Sequence, residues 1–512
     1  MQPRTCLVTI LLLAAIASSA TAGEALTSAA RTGDLAALRV LLQNGTAVDD
    51  RQPDGTSALH WAVLGSHHAV MDSLLQAGAD ANAADRYGTT PLFLAALNGD
   101  AVAANTLLLA GADPNVLDVA HESVLMTAVR TGNEDVVNLL LEQGALVGYR
   151  EPVYGLSALM LAALENHPGV VRRLMTFGAR INEHTHVGPT PPFVLPCKGG
   201  CGSEGLGINV GGVPDRGERA EVDGGMTPLL YAARDGRIEV AQALLEAGAD
   251  LEQTEGNRIS PLLMALINGH VELALVLLER GADVNVADFY GRTPLFAAVE
   301  YRNLDMDNNN DPAPVHNGVD RAAFLPMIER LLGAGADVNA RTREYPPSRR
   351  WIHMRNDISW VDMTGQTPFV RAALAGDVSV MRLLLAHGAD PAITAYGGTS
   401  AMMAAAGLNW RGEQTYTESP AALLEAVKLC MELGLDVNAV NSMGISALMA
   451  AANRGSDDII ELLVANGALV DARDGEGRTA MTWAKGVFIA DLAAQPKPAT
   501  VALLRTLGAA EE

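Results

Sequence analysis

The sequence predicts an all-α fold, a solenoid of about twelve stacked helix-turn-helix units with long loop insertions. Three observations support this. A short motif, Gly-x-Thr/Ser-Pro/Ala-Leu/Met, returns with a step of 33 residues, as at Gly55 and Gly88. Hydrophobic residues make up 49% of the chain but aromatic ones only 4%, which suits close packing of Ala- and Leu-rich helices. A fixed step of this size is typical of arrays in which each unit is one supersecondary element.

Each unit contains signals for two helices and a turn. Thr90-Pro91 predicts the start of a first helix, because Thr can cap a helix and Pro is tolerated at its first position. Gly111-Ala-Asp113 predicts the end of a second helix and the next turn. Positions equivalent to Gly88 fall at 55, 88, 121, 155, 225, 258, 291, 365, 398, 444 and 477, with His121 and Arg258 replacing the glycine.

The N-terminus has the features of a secretory signal peptide over residues 1–22. Arg4 precedes an apolar run at Cys6–Ala17, and Ala20-Thr21-Ala22 has the form of a cleavage site. The run is too short to span a membrane. We therefore expect a periplasmic or secreted protein, without membrane insertion, whose mature chain begins at about Gly23.

The unit resembles the ankyrin repeat. Leu59-His60 and Thr90-Pro91-Leu92 match its T-P-L-H signature, and Gly281-Ala-Asp-Val-Asn285 matches its G-A-D-V-N ending. The resemblance covers nearly all of the chain after the leader, and the leader makes the chain similar to exported ankyrin-repeat proteins of bacteria. It implies a curved array whose fingers and first-helix ends line a concave face, with His60 in a structural role.

We expect a single array over 23–512, with capping units at 23–51 and 474–512. Steps longer than 33 residues leave insertions at about 187–221, 302–322, 342–363 and 408–420. Extra residues in a regular array form loops, often on the binding face. The repeats leave no room for a separate catalytic domain.

Tyrosine precedes the marker glycine in three units, and the resemblance places these finger positions on the concave face. Tyrosine provides a large contact area at low conformational cost. Alternatively, the tyrosines pack on neighbouring fingers and stabilise the array. The candidate partner-binding residues at fingers and helix ends are Arg86, Tyr87, Tyr154, Phe289, Tyr290 and Tyr301.

The third insertion is basic and aromatic on an acidic protein. Arg and Trp are enriched at interface hot spots, so this loop is a second candidate contact surface. It could instead fold onto the array, or form an enzyme-like or receptor site for a small anion or ring-shaped ligand. Its candidate residues are Arg349, Arg350, Trp351 and Trp360.

The sequence predicts no metal and no cofactor. Cys197 and Cys201 are a candidate disulfide in an oxidising compartment. With His184 and His186 they offer four zinc-binding groups, but the spacing matches no established motif. The acidic run at Asp305–Asp311 resembles a calcium loop and lacks its central glycine.

These observations predict a non-enzymatic protein-binding scaffold. The net charge of −23 disfavours nucleic acid and favours a protein partner with a basic patch. The sequence contains no Ser/His/Asp set, Walker loop or H-E-x-x-H motif. We expect the protein to be a monomer.

Overall fold

The computed structural model describes residues 22–189, 222–304, 320–343, 361–409, 415, 417, 419–487 and 495–510. Within these ranges 24 helices form twelve pairs. Two short strands, β1 (Val187–Pro189) and β2 (Val222–Gly224), pair in one sheet. The prediction of an all-α array of helix pairs is confirmed.

The helices are short, and most contain seven to nine residues. The first twelve are α1 (22–32), α2 (Leu35–Gln43), α3 (Ala58–Leu64), α4 (His68–Gln76), α5 (Pro91–Asn98), α6 (Ala101–Leu109), α7 (Val124–Thr131), α8 (Glu134–Glu142), α9 (Ala158–Leu164), α10 (Pro168–Thr176), α11 (Pro228–Asp235) and α12 (Ile238–Glu246). The others are α13 (Pro261–Ile267), α14 (Val271–Glu279), α15 (Pro294–Arg302), α16 (Arg321–Gly333), α17 (Pro368–Ala375), α18 (Val378–Ala386), α19 (Ala401–Ala405), α20 (Pro420–Glu432), α21 (Ala447–Arg454), α22 (Asp457–Ala465), α23 (Ala480–Lys485) and α24 (Pro498–Thr506).

The chain divides into two compact units. Unit 1 comprises Met1–His186, Gly224–Ala232 and Arg237–Asp250, and unit 2 comprises Val187–Asp223, Ala233–Gly236 and Leu251–Glu512. In each unit, small and branched apolar side chains form the core between the helices of a pair and the pairs beside it. The expected single array over 23–512 and its capping units stay predictions.

The predicted capping explains where the first helices begin. The Thr90 hydroxyl accepts a hydrogen bond from the Phe93 N–H, and the Thr293 hydroxyl accepts one from Phe296. In both cases proline follows at the first helical position, where no N–H is needed. The cap therefore fixes the register of each helix against the preceding finger.

Backbone hydrogen bonds join consecutive fingers within each unit. In unit 1 the Arg86 N–H donates to the Asp54 carbonyl, and the Val119 N–H donates to the Tyr87 carbonyl, both at 2.9 Å. In unit 2 the same bond joins Tyr396 to Thr364 at 2.7 Å. These bonds satisfy backbone groups at the fingertips and hold neighbouring fingers side by side.

Asparagine side chains form a second set of links between consecutive turns. Asn82 donates from Nδ2 to the Gly111 carbonyl and accepts at Oδ1 from the Asp113 N–H. Asn285 makes the same two bonds to Gly335 and Asp337. The second case joins turns about fifty residues apart in sequence, so the insertion between them does not interrupt the pattern.

Candidate binding surface

The fingers of unit 1 carry a row of exposed apolar side chains. Tyr87 is 52% exposed and Tyr154 is 68% exposed, and Val119 and Val153 beside them are also exposed. Leu64 and Leu97, at the ends of α3 and α5, are exposed as well. We call these six residues the unit 1 fingertip surface. A backbone hydrogen bond joins the Tyr87 and Val119 fingers, and the Tyr149 hydroxyl links the next finger by donating to the His121 carbonyl at 2.8 Å.

Arg86 covers one side of Tyr87. Its guanidinium lies 4.7 Å from the centre of the Tyr87 ring, and its Nη2 donates to the tyrosine hydroxyl at 2.6 Å. Both side chains remain exposed. A cation held over an aromatic face restricts the tyrosine to one orientation and leaves its other side for contact.

Tyr290 and Tyr301 are not on the surface, so their assignment as partner-binding residues is corrected. Tyr290 is only 9% exposed and packs edge to face on Phe289, with ring centres 5.4 Å apart. Tyr301 is buried and stacks on Phe324 at 5.1 Å. A buried ring cannot supply contact area to a partner, so the packing alternative holds at these two positions. Phe289 is half-buried against Tyr290.

Several predicted sites lie outside the described residues. They are the signal peptide up to residue 21, most of the four insertions, the candidate disulfide Cys197 and Cys201, the acidic run at Asp305–Asp311, and the basic aromatic residues Arg349, Arg350, Trp351 and Trp360. All of these assignments stay predictions.

Sequence reasoning missed three members of the fingertip surface and one aromatic residue in unit 2. The missed members are Leu64, Val119 and Val153. Their signal was available, because each occupies a fingertip or helix-end register position. Tyr396 is also exposed at a fingertip, where the Arg341 guanidinium stacks on its ring at 4.2 Å.

The ionisable groups form structural pairs and not a reactive cluster in the part of the chain that is described. Arg130 donates from Nε to Glu122 at 3.0 Å, and His68 pairs with Asp100 at 2.7 Å. Burial raises the pKa of the Cys430 thiol to about 12, so it is a poor nucleophile at neutral pH. No group of three or more potential metal ligands occurs among the described residues.

Taken together, stacked helix pairs, hairpin fingers and inter-finger hydrogen bonds define a repeat protein. A sequence profile described as "Ankyrin repeats (3 copies)" matches residues 26–118, 93–185, 247–307 and 420–487. A second, "Ankyrin repeat", matches 224–255 and 364–396. These matches cover more than half of the chain, and the protein belongs to the ankyrin-repeat family.

A solved structure titled "Crystal structure of human ASB11 ankyrin repeat domain" is similar to this chain. The sequences are 26% identical, the match covers 50% of this chain and 98% of the other, and the TM-score is 0.39. Ankyrin repeats are generally protein–protein interaction modules and typically lack enzymatic activity. Among the described helices, none combines the length and apolar character needed to cross a bilayer.

Proposed function

We propose that this protein is a non-enzymatic scaffold that binds a protein partner through the unit 1 fingertip surface. The observation that carries the proposal is the row of exposed apolar residues on consecutive fingers. Single exposed apolar side chains are ordinary, whereas a group on one surface is typical of an interaction site.

The chemistry of the surface indicates how binding energy would arise. Tyr87 and Tyr154 offer large rings with few rotatable bonds, and aromatic residues often contribute most of the energy at interfaces. The backbone bond from Val119 to Tyr87 holds adjacent fingers in place before binding. A partner would therefore meet a preformed surface, which lowers the entropic cost of association.

The expected partner is a folded protein or peptide with apolar side chains next to a basic patch. The net charge of −23 would attract such a partner over long range and increase its association rate. Export to the periplasm or the cell exterior is part of the proposal, supported by the leader at residues 1–22. Sequencing the N-terminus of the purified native protein tests it, since a start near Gly23 is expected.

Peptide display against the immobilised full-length mature chain tests the binding surface. Random peptides would be selected on the wild type and measured on a Tyr87→Ser/Tyr154→Ser variant. Both tyrosines are exposed, so the substitutions leave the core intact. We expect enrichment of peptides that combine apolar and basic residues, and at least tenfold weaker binding to the variant.

A Val102→Ser/Leu109→Ser variant is the matched control. These two residues are also exposed and apolar but lie on α6, the second helix of the same repeat as Tyr87. Selected peptides should bind this control as they bind the wild type. Equal weakening in both variants, or no weakening in the tyrosine variant, would refute the fingertip surface as the binding site.

A further inference from the structure

Two fingers of unit 2 contain an aspartate whose charge is neutralised within the finger. Asp288 and Asp474 each lie three residues before a marker glycine, and an arginine follows that glycine. The arginine donates from Nε to Oδ2 of the aspartate, at 2.8 Å in the first finger and 2.7 Å in the second. Oδ1 accepts backbone N–H groups of the same finger. Both oxygens of each carboxylate are therefore engaged, and both side chains are fully buried.

Asp85 and Asp118 occupy the same position in two consecutive fingers of unit 1, but no arginine follows their markers. Oδ1 of each aspartate accepts two backbone N–H groups, at 2.8 or 2.9 Å. Thr89 and Glu122 stand where the two unit 2 fingers have arginine. In the described part of the chain, no donor bonds to Oδ2 of either aspartate and neither forms an ion pair. One oxygen of each carboxylate is thus available.

The arginines near these two fingers are engaged with other groups. Arg51 donates to a backbone carbonyl of the next finger at 3.0 Å and lies 3.6 Å from Asp80. Arg86 lies over the neighbouring tyrosine ring and donates to its hydroxyl. Arg130 pairs with Glu122 at 3.0 Å. The negative charge on the two finger aspartates is therefore not neutralised by these cations.

The available carboxylate oxygens lie beside the unit 1 fingertip surface. Asp85 is two residues before Tyr87, and Asp118 directly precedes Val119. Both aspartates are half-buried, whereas Tyr87 and Val119 are exposed. The backbone bond from Val119 to Tyr87 holds the two fingers side by side. An ion pair at a half-buried carboxylate is stronger than one in open solvent, because the effective dielectric constant is lower.

We propose that arginine side chains of the protein partner bind Asp85 and Asp118, in the place that the chain's own arginines fill in the two unit 2 fingers. This inference rests on the proposed function, since the partner meets the same fingertip surface. Each guanidinium donates to Oδ2, and its aliphatic stem lies against Tyr87 or Val119. Arginine suits this position better than lysine, because its rigid planar group keeps several donors in a fixed geometry.

Peptide selection on the full-length mature chain tests the inference. The probe is a displayed library of random peptides, and the selected sequences are then synthesised with arginine and with citrulline, which keeps the shape of arginine without its charge. We expect arginine to be enriched about threefold or more over the library. The citrulline versions should bind about tenfold more weakly, as expected for the loss of a close charge pair.

An Asp85→Asn/Asp118→Asn variant locates the ion pairs. An amide oxygen is a sufficient acceptor at this position, since Asn441 accepts from the Met443 and Ile445 N–H groups at 3.0 Å in its own finger. The variant therefore loses the charge and keeps the finger. Arginine peptides should bind it about tenfold more weakly than the wild type, whereas citrulline peptides should bind both proteins equally.

Two further variants separate a local ion pair from the net charge. Asp72→Asn/Asp135→Asn removes the same charge at exposed positions on α4 and α8, and it should bind arginine peptides like the wild type. Thr89→Arg places an arginine four residues after Asp85, the spacing found in the two unit 2 fingers. It should compete with the peptides for Asp85 and raise the urea midpoint of unfolding.

The outcomes distinguish this inference from the proposed function. Selected peptides that require Tyr87 and Tyr154, but show no enrichment of arginine or bind Asp85→Asn/Asp118→Asn like the wild type, would overturn the arginine pairing and leave the fingertip surface in place. Equal weakening in the Asp72→Asn/Asp135→Asn control would also overturn it, because the effect would then come from net charge. Failure to obtain any peptide that depends on the tyrosines would refute both.

Discussion

Arg292 and Asp288 form a buried ion pair at the base of a finger in unit 2. Arg292 Nε donates to Asp288 Oδ2 at 2.8 Å, and the two side chains are 4% and 0% exposed. The other carboxylate oxygen accepts the Arg292 backbone N–H at 2.8 Å. One aspartate therefore fixes both the finger backbone and the arginine that follows the marker glycine.

Replacing Arg292 with alanine should destabilise unit 2 by about 3–5 kcal/mol. The substitution removes the charged partner of the buried Asp288 carboxylate, which costs more than the pair itself contributes. Urea unfolding of the full chain, followed by circular dichroism, would measure the loss. Arg330→Ala is the control, because its ion pair with Glu279 is exposed and should contribute less than about 1 kcal/mol. Equal effects of the two substitutions would contradict this prediction.

The asparagine links between turns should be visible as local protection. Asn82→Ala removes two hydrogen bonds and leaves the Asp113 N–H without its acceptor, so we expect a loss of about 1–2 kcal/mol. Amide hydrogen exchange should be faster at Asp113 than in the wild type. Asn105→Ala, at an exposed position on α6, is the matched control. Unchanged exchange at Asp113 would show that the link has no energetic role.

Burial favours the neutral form of His60, and its hydrogen bonds determine which ring nitrogen carries the proton. Its Nδ1 lies 3.2 Å from the Ser57 backbone N–H and must accept from it, so Nε2 carries the proton that is donated to the Thr89 carbonyl at 3.0 Å. Burial lowers the pKa of His60 below the usual histidine value of about 6.5, although the hydrogen bond to Thr89 opposes the shift. If Nδ1 were protonated, its N–H would face the Ser57 backbone N–H, and the hydrogen bond that caps α3 would be lost.

Unit 1 should therefore lose stability as the pH falls below 6.5. The unfolded chain takes up a proton at His60 first, and this contribution is lost progressively towards the lower folded-state pKa. Each unit of difference corresponds to about 1.4 kcal/mol. We expect His60→Gln to show a smaller decrease in the free energy of unfolding between pH 6.5 and pH 5 than the wild type does. Parallel pH profiles for the two proteins would contradict this assignment.

Local signals were sufficient to predict the helix pairs and their register. Thr-Pro marks a helix start at Thr90, Thr227, Thr293 and Thr367, because capping and the missing proline N–H are local properties. The predicted repeat register also holds at the two marker positions that lack glycine. His121 and Arg258 adopt φ angles of 61° and 66°, in the left-handed region that Gly88 occupies at 78°. The turn geometry thus persists despite the strain of a side chain.

The binding surface could not be predicted to the same extent. Tyr87 and Tyr290 share one position of the repeat, but Tyr87 is exposed and Tyr290 is buried. The residue before Tyr290 is Phe289, which packs on its ring, whereas the residue before Tyr87 is Arg86. The position within the repeat does not reveal this difference. The hydrogen bond from Asn285 to the Gly335 carbonyl could not be predicted either. It joins two turns on either side of an insertion, and the sequence does not show which turns are neighbours there.

Glu151 and Glu255 provide a comparison at one position of the finger. Each carboxylate accepts backbone N–H groups: Glu151 from Val153, Tyr154 and Leu156, and Glu255 from Asn257 and Ile259. At Glu151 burial raises the pKa, but the backbone donors together outweigh it and the net shift is downward. At Glu255 burial prevails over the hydrogen bonds, Asp288 adds repulsion, and the pKa is raised.

The two charges should therefore affect stability in opposite directions. Glu151 contributes stability above its unfolded pKa of about 4.5, and this is lost as the pH falls through the lower folded value. For Glu255 the contribution is present below 4.5 and lost as the pH rises through the raised folded value. At pH 7 we expect Glu151→Gln to destabilise the protein and Glu255→Gln to be neutral or stabilising.

An uncharged side chain can fill this position in the same family of turns. Asn441 accepts from the Met443 and Ile445 N–H groups at 3.0 Å in its own finger, so an amide oxygen is a sufficient acceptor. Urea unfolding of both variants at pH 7 and pH 4 would separate charge from hydrogen bonding. The deficit of Glu151→Gln and any gain of Glu255→Gln should both shrink at pH 4. A loss at pH 7 of the same size in both variants would mean that the carboxylates act only as acceptors, and that the opposite pKa shifts of Glu151 and Glu255 have no effect on stability.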